Sequence, residues 1–279
     1  MPSIRDARSL LFVPGNRPER FAKAEASGAD LVCIDLEDAV PPAERVAARK
    51  AVAEHLRGLG AGHRTGVRVS RLVVADGLRD VLALAEARGT AAEPAFVMLA
   101  KTESAREVEI LAAHLHGVAL IALIESARGI QAAAAIAAAH PQLHSLMLGG
   151  VDLAAELGAR FAWEPLLHAR GTLACAAASA GLACIDVPWL DVADEAGLAA
   201  ETQRVAALGF TAKACIHPRQ LQTVHAALAS SAGEIDQARR IVAAAGSAGA
   251  DAAAVLLDGR LVDRPVVLAA QRLLARAGG

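Results

Sequence analysis

The sequence predicts an α/β chain: a (β/α)₈ barrel over residues 1–230, followed by a helical C-terminal extension over residues 231–279. Three observations carry that expectation. Short apolar β-type runs alternate with Ala-rich amphipathic stretches, the pattern of a parallel sheet flanked by helices. The runs number eight and recur at very roughly 25–35 residues, as βα units of a closed barrel do. No G-x-G-x-x-G follows the first run and no P-loop occurs, so an open nucleotide-binding sheet lacks its signature.

In chain order the strand candidates are SLLFVPG from Ser9, DLVCIDLED from Asp30, RTGVRVS from Arg64 and AFVMLAKTES from Ala95. GVALIALIES from Gly117, HSLMLGGVD from His144, LACIDVPW from Leu182 and TAKACIHP from Thr211 complete the set. Between them PERFAKAEASG, PAERVAARKAVAEHL, SAREVEILAAHL, ARGIQAAAAIAAAH and DEAGLAAETQRVAALG read as crossover helices, two of them closing on Gly. A soft boundary lies near Ser230–Gly233. Beyond it come the helix GEIDQARRIVAAA, the stretch SAGADAAAVLLDGRLVDRP and a last helix. A barrel closes without this tail, which points to a lid or a subunit contact.

Composition excludes several classes. The 279 residues are 54% apolar and 21% charged with a formal net charge of −2, so the chain can bury a sizeable core and is no basic nucleic-acid binder. No stretch reaches the ~18 apolar residues of a spanning helix; the uncharged run Gly171–Ile185, mostly Ala, Gly and Ser, stops at Asp186. Arg5, Asp6 and Arg8 precede LLFV, unlike a signal peptide, and the expectation is a soluble cytoplasmic protein with no membrane partner. Cys33, Cys175, Cys184 and Cys215 form no C-x-x-C pair and read as buried free thiols. His114 and His116 form an H-x-H without a nearby third ligand and read as surface or loop histidines.

Chemistry in such barrels gathers at the C-terminal ends of the strands. There the sequence places PGNRPER, then Asp35, Glu37 and Asp38, Arg68 and Ser70, Lys101 and Glu103, Glu125, Asp152 and His217. Glu125 and Asp152 close consecutive strands, so their carboxylates are expected to converge as ligands for Mg²⁺, a hard cation content with one or two carboxylates. The structural alternative is that each caps the helix that follows. Arg68 sits in an otherwise apolar run, where a guanidinium could fork onto a substrate carboxylate or steady an enolate oxygen. An ion pair with Asp35, Glu37 or Glu103 is its structural alternative, and a carboxylate behind the arginine would orient it. Arg17, Arg20 and Lys23 surround a helix start, which favours anions, or else form a solvated helix face.

The strings RSLLFVPGNRPERFAKA, DLVCIDLEDAVPPAERVAARKAV, GVRVS, LAKTESAREVE, ALIESARGI, GGVDLAAELG, LGFTAKACIHPRQL and DGRLVDRP together resemble the citrate lyase β-subunit-like family, which includes malyl-CoA and citramalyl-CoA lyases. The resemblance runs in order through almost the whole chain. It implies a TIM barrel carrying a Mg²⁺-dependent carbon–carbon lyase for 3-hydroxy-3-carboxyl acyl thioesters, with glyoxylate, pyruvate or oxaloacetate as small-molecule partners. By position, Glu125 and Asp152 then look like the metal ligands, with Glu125 also touching substrate. Arg68 looks like the residue that binds the substrate carboxyl and steadies the enolate. Asp35, Glu37 and Asp38 resemble the acidic group behind it. Arg17, Arg20 and Lys23 fall where relatives meet coenzyme A phosphates. Asp263 falls where the lyases carry an acid/base aspartate on a segment covering a neighbouring subunit, which implies a homotrimer or hexamer. Lys101 is then free to balance charge with Glu103 or another carboxylate. Ser70 stands where the family has Asn, Ala100 where it has Pro, and IDVPWLDVADEAG differs from the commoner loop, setting Trp189 near the mouth. The same resemblance also covers a citrate lyase β subunit acting on citryl-acyl-carrier protein, a malyl-CoA thioesterase and a non-catalytic CoA-binding relative.

Overall fold

The computed structural model of the chain describes residues 4–87, 90, 93–247 and 254–277. The chain divides into two compact units, Met1–Leu228 and Ala229–Gly279.

In the first unit eight parallel strands close into a barrel in chain order: β1 (Ser9–Pro14), β2 (Leu31–Asp35), β3 (Thr65–Val69), β4 (Phe96–Leu99), β5 (Ala119–Ile124), β6 (Leu143–Leu148), β7 (Ala183–Asp186) and β8 (Ala212–Cys215). Closure comes from β1 pairing with β8, Ser9 opposite Lys213. The helices are α1 (Phe21–Glu25), α2 (Arg45–Arg57), α3 (Ala75–Glu86), α4 (Ala105–His114), α5 (Ala127–Ala137), α6 (Gly150–Glu156), α7 (Trp163–Ala180), α8 (Glu195–Ala207) and α9 (Gln220–Ala227). Local signals in the sequence start several of them. Ser104 and Glu107 form a capping box at α4, and the Ser126 and Asp194 side chains accept the Gly129 and Gly197 N–H groups at α5 and α8. The uncharged run from Gly171 holds the second half of α7 and then β7, with Gly181 between them in a left-handed turn at φ +65°.

Strand alternation splits the core in two. One cluster is built of strand residues, among them Cys33, Phe96, Met98, Ile121, Leu123, Met147 and Ile185, and fills the barrel's inside. The other joins the opposite strand faces, such as Val32, Ile34, Val67 and Leu146, to helix residues such as Val52, Leu111 and Leu173. The same parity carries inward Asp35 after Leu31 and Cys33, Arg68 after Gly66, and Glu125 after Ile121 and Leu123. Fold and site therefore share one alternation.

The outer layer also holds a buried ionic network. Asp186 on β7 accepts from Arg170 Nε of α7 at 2.9 Å and from Lys213 Nζ of β8 at 2.7 Å. Lys213 also reaches Glu201 Oε1 of α8 at 2.8 Å, and Arg170 Nη2 lies 3.4 Å from Glu201 Oε2. Two cations and two carboxylates thus neutralise one another out of water, as such burial requires.

Three of the four thiols are buried, but Cys175 is exposed. It lies on α7, where Leu173, Ala176 and Ala177 are buried and Cys175 and Ala178 point to solvent. Its apolar sequence neighbours belong to a different face of the helix. No described helix is long and apolar enough to cross a membrane.

The second unit comprises α10 (Ala232–Ser247), β9 (Ala254–Leu257), β10 (Arg260–Asp263) and α11 (Arg264–Ala277). Residues 248–253, part of the stretch that begins SAGADAAAV, lie outside the described residues. β9 and β10 form an antiparallel hairpin through Asp258 and Gly259, both at positive φ, the Asp-Gly turn that suits strand twist.

Candidate active site

The barrel's C-terminal mouth is organised around two pairs of groups. The first is Asp35 with Arg68. Arg68 Nε and Nη2 donate to Asp35 Oδ1 and Oδ2, each at 2.6 Å, a bidentate fork. The same carboxylate accepts the backbone N–H groups of Glu37 at 2.9 Å and Ala39 at 3.0 Å, so the turn after β2 is wound around it. Arg68 also packs over the Phe12 ring at 5.1 Å, and its Nη1 lies 3.4 Å from Glu37 Oε2. Burial opposes the guanidinium's charge, but hydrogen bonds and charge from Asp35, joined by Glu37 and Glu125, hold it above its ordinary pKa. Arg68 is a fixed cation held from behind.

The second pair is Glu125 with Asp152. Glu125 follows β5 directly and is 6% exposed. Its Oε1 accepts the Lys101 N–H at 2.8 Å. No cationic side chain among the described residues lies within ion-pair distance of it. Burial pushes its carboxyl up to about 8, with Asp152 and Glu37 adding to the rise and Arg68 and Lys101 opposing it. The helix-capping alternative fails for Glu125, because Ser126 caps α5. Asp152 lies in the first turn of α6, whose cap is Gly149. It is a partly exposed helical residue rather than the end of β6, which stops at Leu148.

Lys101 links the second pair to Glu37 and Asp38, the carboxylates beside Arg68. It follows β4 with a left-handed backbone, φ +52°, and its Nζ contacts Glu37 closely, Asp38 Oδ1 at 3.1 Å and Asp152 Oδ2 at 3.3 Å. Those are its carboxylates; Glu103 pairs instead with Arg71 at 3.3 Å. Glu37 and Asp38 are pushed apart. Burial raises Glu37; burial also works against Asp38, but hydrogen bonds from Glu37 and Lys101 lower it.

The donor set fits magnesium better than a transition metal. Among the described residues no group of three or more His, Cys, Asp and Glu could hold a metal ion, which excludes a closed zinc-type cage. Two carboxylates beside open solvent suit an octahedral cation that keeps waters and substrate oxygens. A buried carboxylate without a cation, Glu125, is the group such an ion would satisfy.

Other expected residues stand apart. Arg17, Arg20 and Lys23 are exposed, but the helix start around them is a 3₁₀ turn, Pro18–Arg20, leading to the five-residue α1. The segment from Pro18 is therefore too short and irregular for a strong helix dipole, and any anion there would rely on the side-chain cations. His217 is exposed and accepts the Arg219 N–H, outside the acidic group. Ser70 directly follows β3 and is buried, its N–H donating to Asp80 Oδ2 at 3.1 Å. Trp189 borders a cavity of about 480 Å³ walled by Phe161, Trp163, Leu190 and Arg204. Asp263 ends β10 in the second unit, where its Oδ1 accepts the Val266 N–H at 3.3 Å.

Sequence reading passed over Gly149 and the span of Lys101. A Cβ on Gly149 would stand 2.3 Å from Glu125 Cβ. The paired glycines in LMLGGVD were its one signal.

Comparison with known proteins agrees with the fold. The family model HpcH/HpaI aldolase/citrate lyase matches residues 8–218, and a C–C bond lyase of the TIM-barrel fold matches residues 172–276. A citrate lyase subunit beta-like protein of Mycobacterium tuberculosis is 42% identical over 96% of this chain and 94% of its own length. A (3S)-malyl-CoA thioesterase of Cereibacter sphaeroides is 35% identical over 97% of this chain and 94% of its own. The crystal structure of the M. tuberculosis protein CitE in complex with magnesium, acetoacetate and coenzyme A superposes with a TM-score of 0.84 at 40% identity, covering 99% of this chain and 100% of that one. With a barrel that closes on eight strands and a family match through most of its length, the chain belongs to the HpcH/HpaI aldolase/citrate lyase family.

Proposed function

We propose that the chain is a magnesium-dependent carbon–carbon lyase for a 3-hydroxy-3-carboxyl acyl-CoA such as malyl-CoA or citramalyl-CoA. The observation that carries this reading is the meeting, through Lys101 and Glu37, of the Glu125/Asp152 carboxylates with the Arg68–Asp35 pair at one mouth. Magnesium held by Glu125 and Asp152 would supply the Lewis acid for the oxygens of the keto acid being released. Retro-Claisen cleavage removes the hydroxyl proton, breaks the carbon–carbon bond and leaves the electron pair as the enolate of the acyl thioester, which then takes up a proton. Arg68 provides fixed positive charge where that enolate oxygen develops, and Asp35 keeps the guanidinium in place. Glu37 and Asp38 hold Lys101 beside them. Asp263 is the candidate for proton transfer, and Arg17, Arg20 and Lys23 are candidates for the coenzyme A phosphates.

A panel of malyl-, citramalyl- and citryl-thioesters with and without EDTA, read by mass spectrometry, tests the reading. The expected result is magnesium-dependent release of glyoxylate or pyruvate with the matching acyl-CoA. No such release would overturn it. The 35% identity to a malyl-CoA thioesterase favours one second reading, hydrolysis of the thioester. Free coenzyme A without acetyl-CoA would establish that reading in place of the first.

A further inference from the structure

We propose that Lys101 is a built-in counter-cation of the metal site: its ammonium holds Asp152 in the metal-free protein and gives it up to the divalent cation. The proposal rests on the magnesium reading above and concerns how the protein sets its affinity for that ion. Five carboxylates gather at the mouth, those of Asp35, Glu37, Asp38, Glu125 and Asp152. Asp35 is consumed by Arg68. Glu37, Asp38 and Asp152 face the Lys101 ammonium and Glu125 its backbone N–H, and such a cluster is unstable without a cation among it.

The contacts of Lys101 are graded. It sits closest to Glu37, then 3.1 Å from Asp38 and 3.3 Å from Asp152. Releasing Asp152 thus breaks the longest contact while Glu37 and Asp38 keep the ammonium. The backbone makes a separate contribution. With φ at +52°, a conformation that glycine adopts more readily, Lys101 aims its N–H at Glu125 Oε1. That neutral donor orients Glu125 and does not compete with a cation, whereas the ammonium does compete for Asp152. One residue therefore positions one carboxylate and shields the other.

Titration calorimetry with MgCl₂ alone, on the full chain as wild type, Lys101→Met, Lys101→Gly and Lys101→Arg, tests this. Removing a positive charge some 3 Å from a ligand carboxylate is expected to tighten magnesium binding at least about tenfold in Lys101→Met. Lys101→Arg should stay within about threefold of wild type because the charge remains. Lys101→Gly keeps the N–H, suits the positive φ and should tighten as Lys101→Met does, so it decides the matter if Lys101→Met fails to fold. In EDTA, melting should fall for both neutral variants, and saturating magnesium should restore it. Wild-type binding with unchanged or weaker affinity in the neutral variants would overturn the proposal alone. A wild type that binds no magnesium would overturn the magnesium reading and the proposal with it.

Discussion

Gly149 makes room for Glu125. A methyl group at position 149 would lie 2.3 Å from Glu125 Cβ and 2.5 Å from its Oε2, so the carboxylate occupies space that only glycine leaves open. Gly149→Ala should keep the barrel, since its φ of −99° suits alanine, but push Glu125 out of line. Displacements of about 1 Å can cost ~10²-fold in rate. A comparable loss of turnover with normal circular dichroism is expected; full activity would refute the steric assignment.

Arg68→Lys should be a poor replacement. Lysine keeps the charge but cannot fork onto both Asp35 oxygens. Losing a donor that faces a developing oxyanion costs ~10²–10³ in kcat, and that range is expected for Arg68→Lys if Arg68 has the proposed role. Asp35→Asn, which loosens the guanidinium from behind, should lower kcat more than it raises KM. Steady-state kinetics on the thioester substrate measures both.

The metal-free protein should lose stability as pH rises. Glu125 releases its proton near pH 8 when folded and near 4.5 when exposed. Between those values the native state holds a proton that the unfolded chain has already lost, so stability falls through that window. The loss is on the order of a few kcal/mol at most. Melting curves in EDTA from pH 5 to 8 should decline, and Glu125→Gln should flatten the decline. Superimposable profiles for the two proteins would contradict the assignment.

Asp186 belongs to stability rather than chemistry. Asp186→Ala leaves Arg170 and Lys213 with one carboxylate between them in a sealed layer. Breaking a buried pair in this way costs about 3–5 kcal/mol. Urea unfolding should record that loss, and a change under about 1 kcal/mol would show the network to be dispensable.

If Asp263 serves a neighbouring protomer, mixtures of Asp263→Ala and Glu125→Ala proteins should regain partial activity after verified subunit exchange. Sedimentation of the wild type should then give a trimer or a multiple of one. Mixtures that stay inactive would count against that role.

Much of the architecture was legible in the sequence because buried parallel strands and covering helices have different periods. Asp35, Arg68 and Glu125 were legible for the same reason, since each extends an inward parity that apolar residues set. Lys101 was only half legible. Its charge-balancing part could be read, but its choice of Glu37, Asp38 and Asp152 over Glu103 depends on a left-handed turn that no residue type announces. The Asp186 network left a trace as single charges in two apolar runs. Its partners Arg170 and Glu201 lie on helices whose rotation about the barrel cannot be read from an Ala-rich sequence. The face occupied by Cys175 was hidden for the same reason.

That last detail offers a practical handle. Burial pushes the Cys33 and Cys184 thiols well above their ordinary range and Cys215 up to about 12, and a thiol that stays protonated is a poor nucleophile. Cys175 stands in solvent on α7. A maleimide dye should therefore attach once per native chain, giving a single-position fluorescent reporter without engineering and a direct test for subunit exchange.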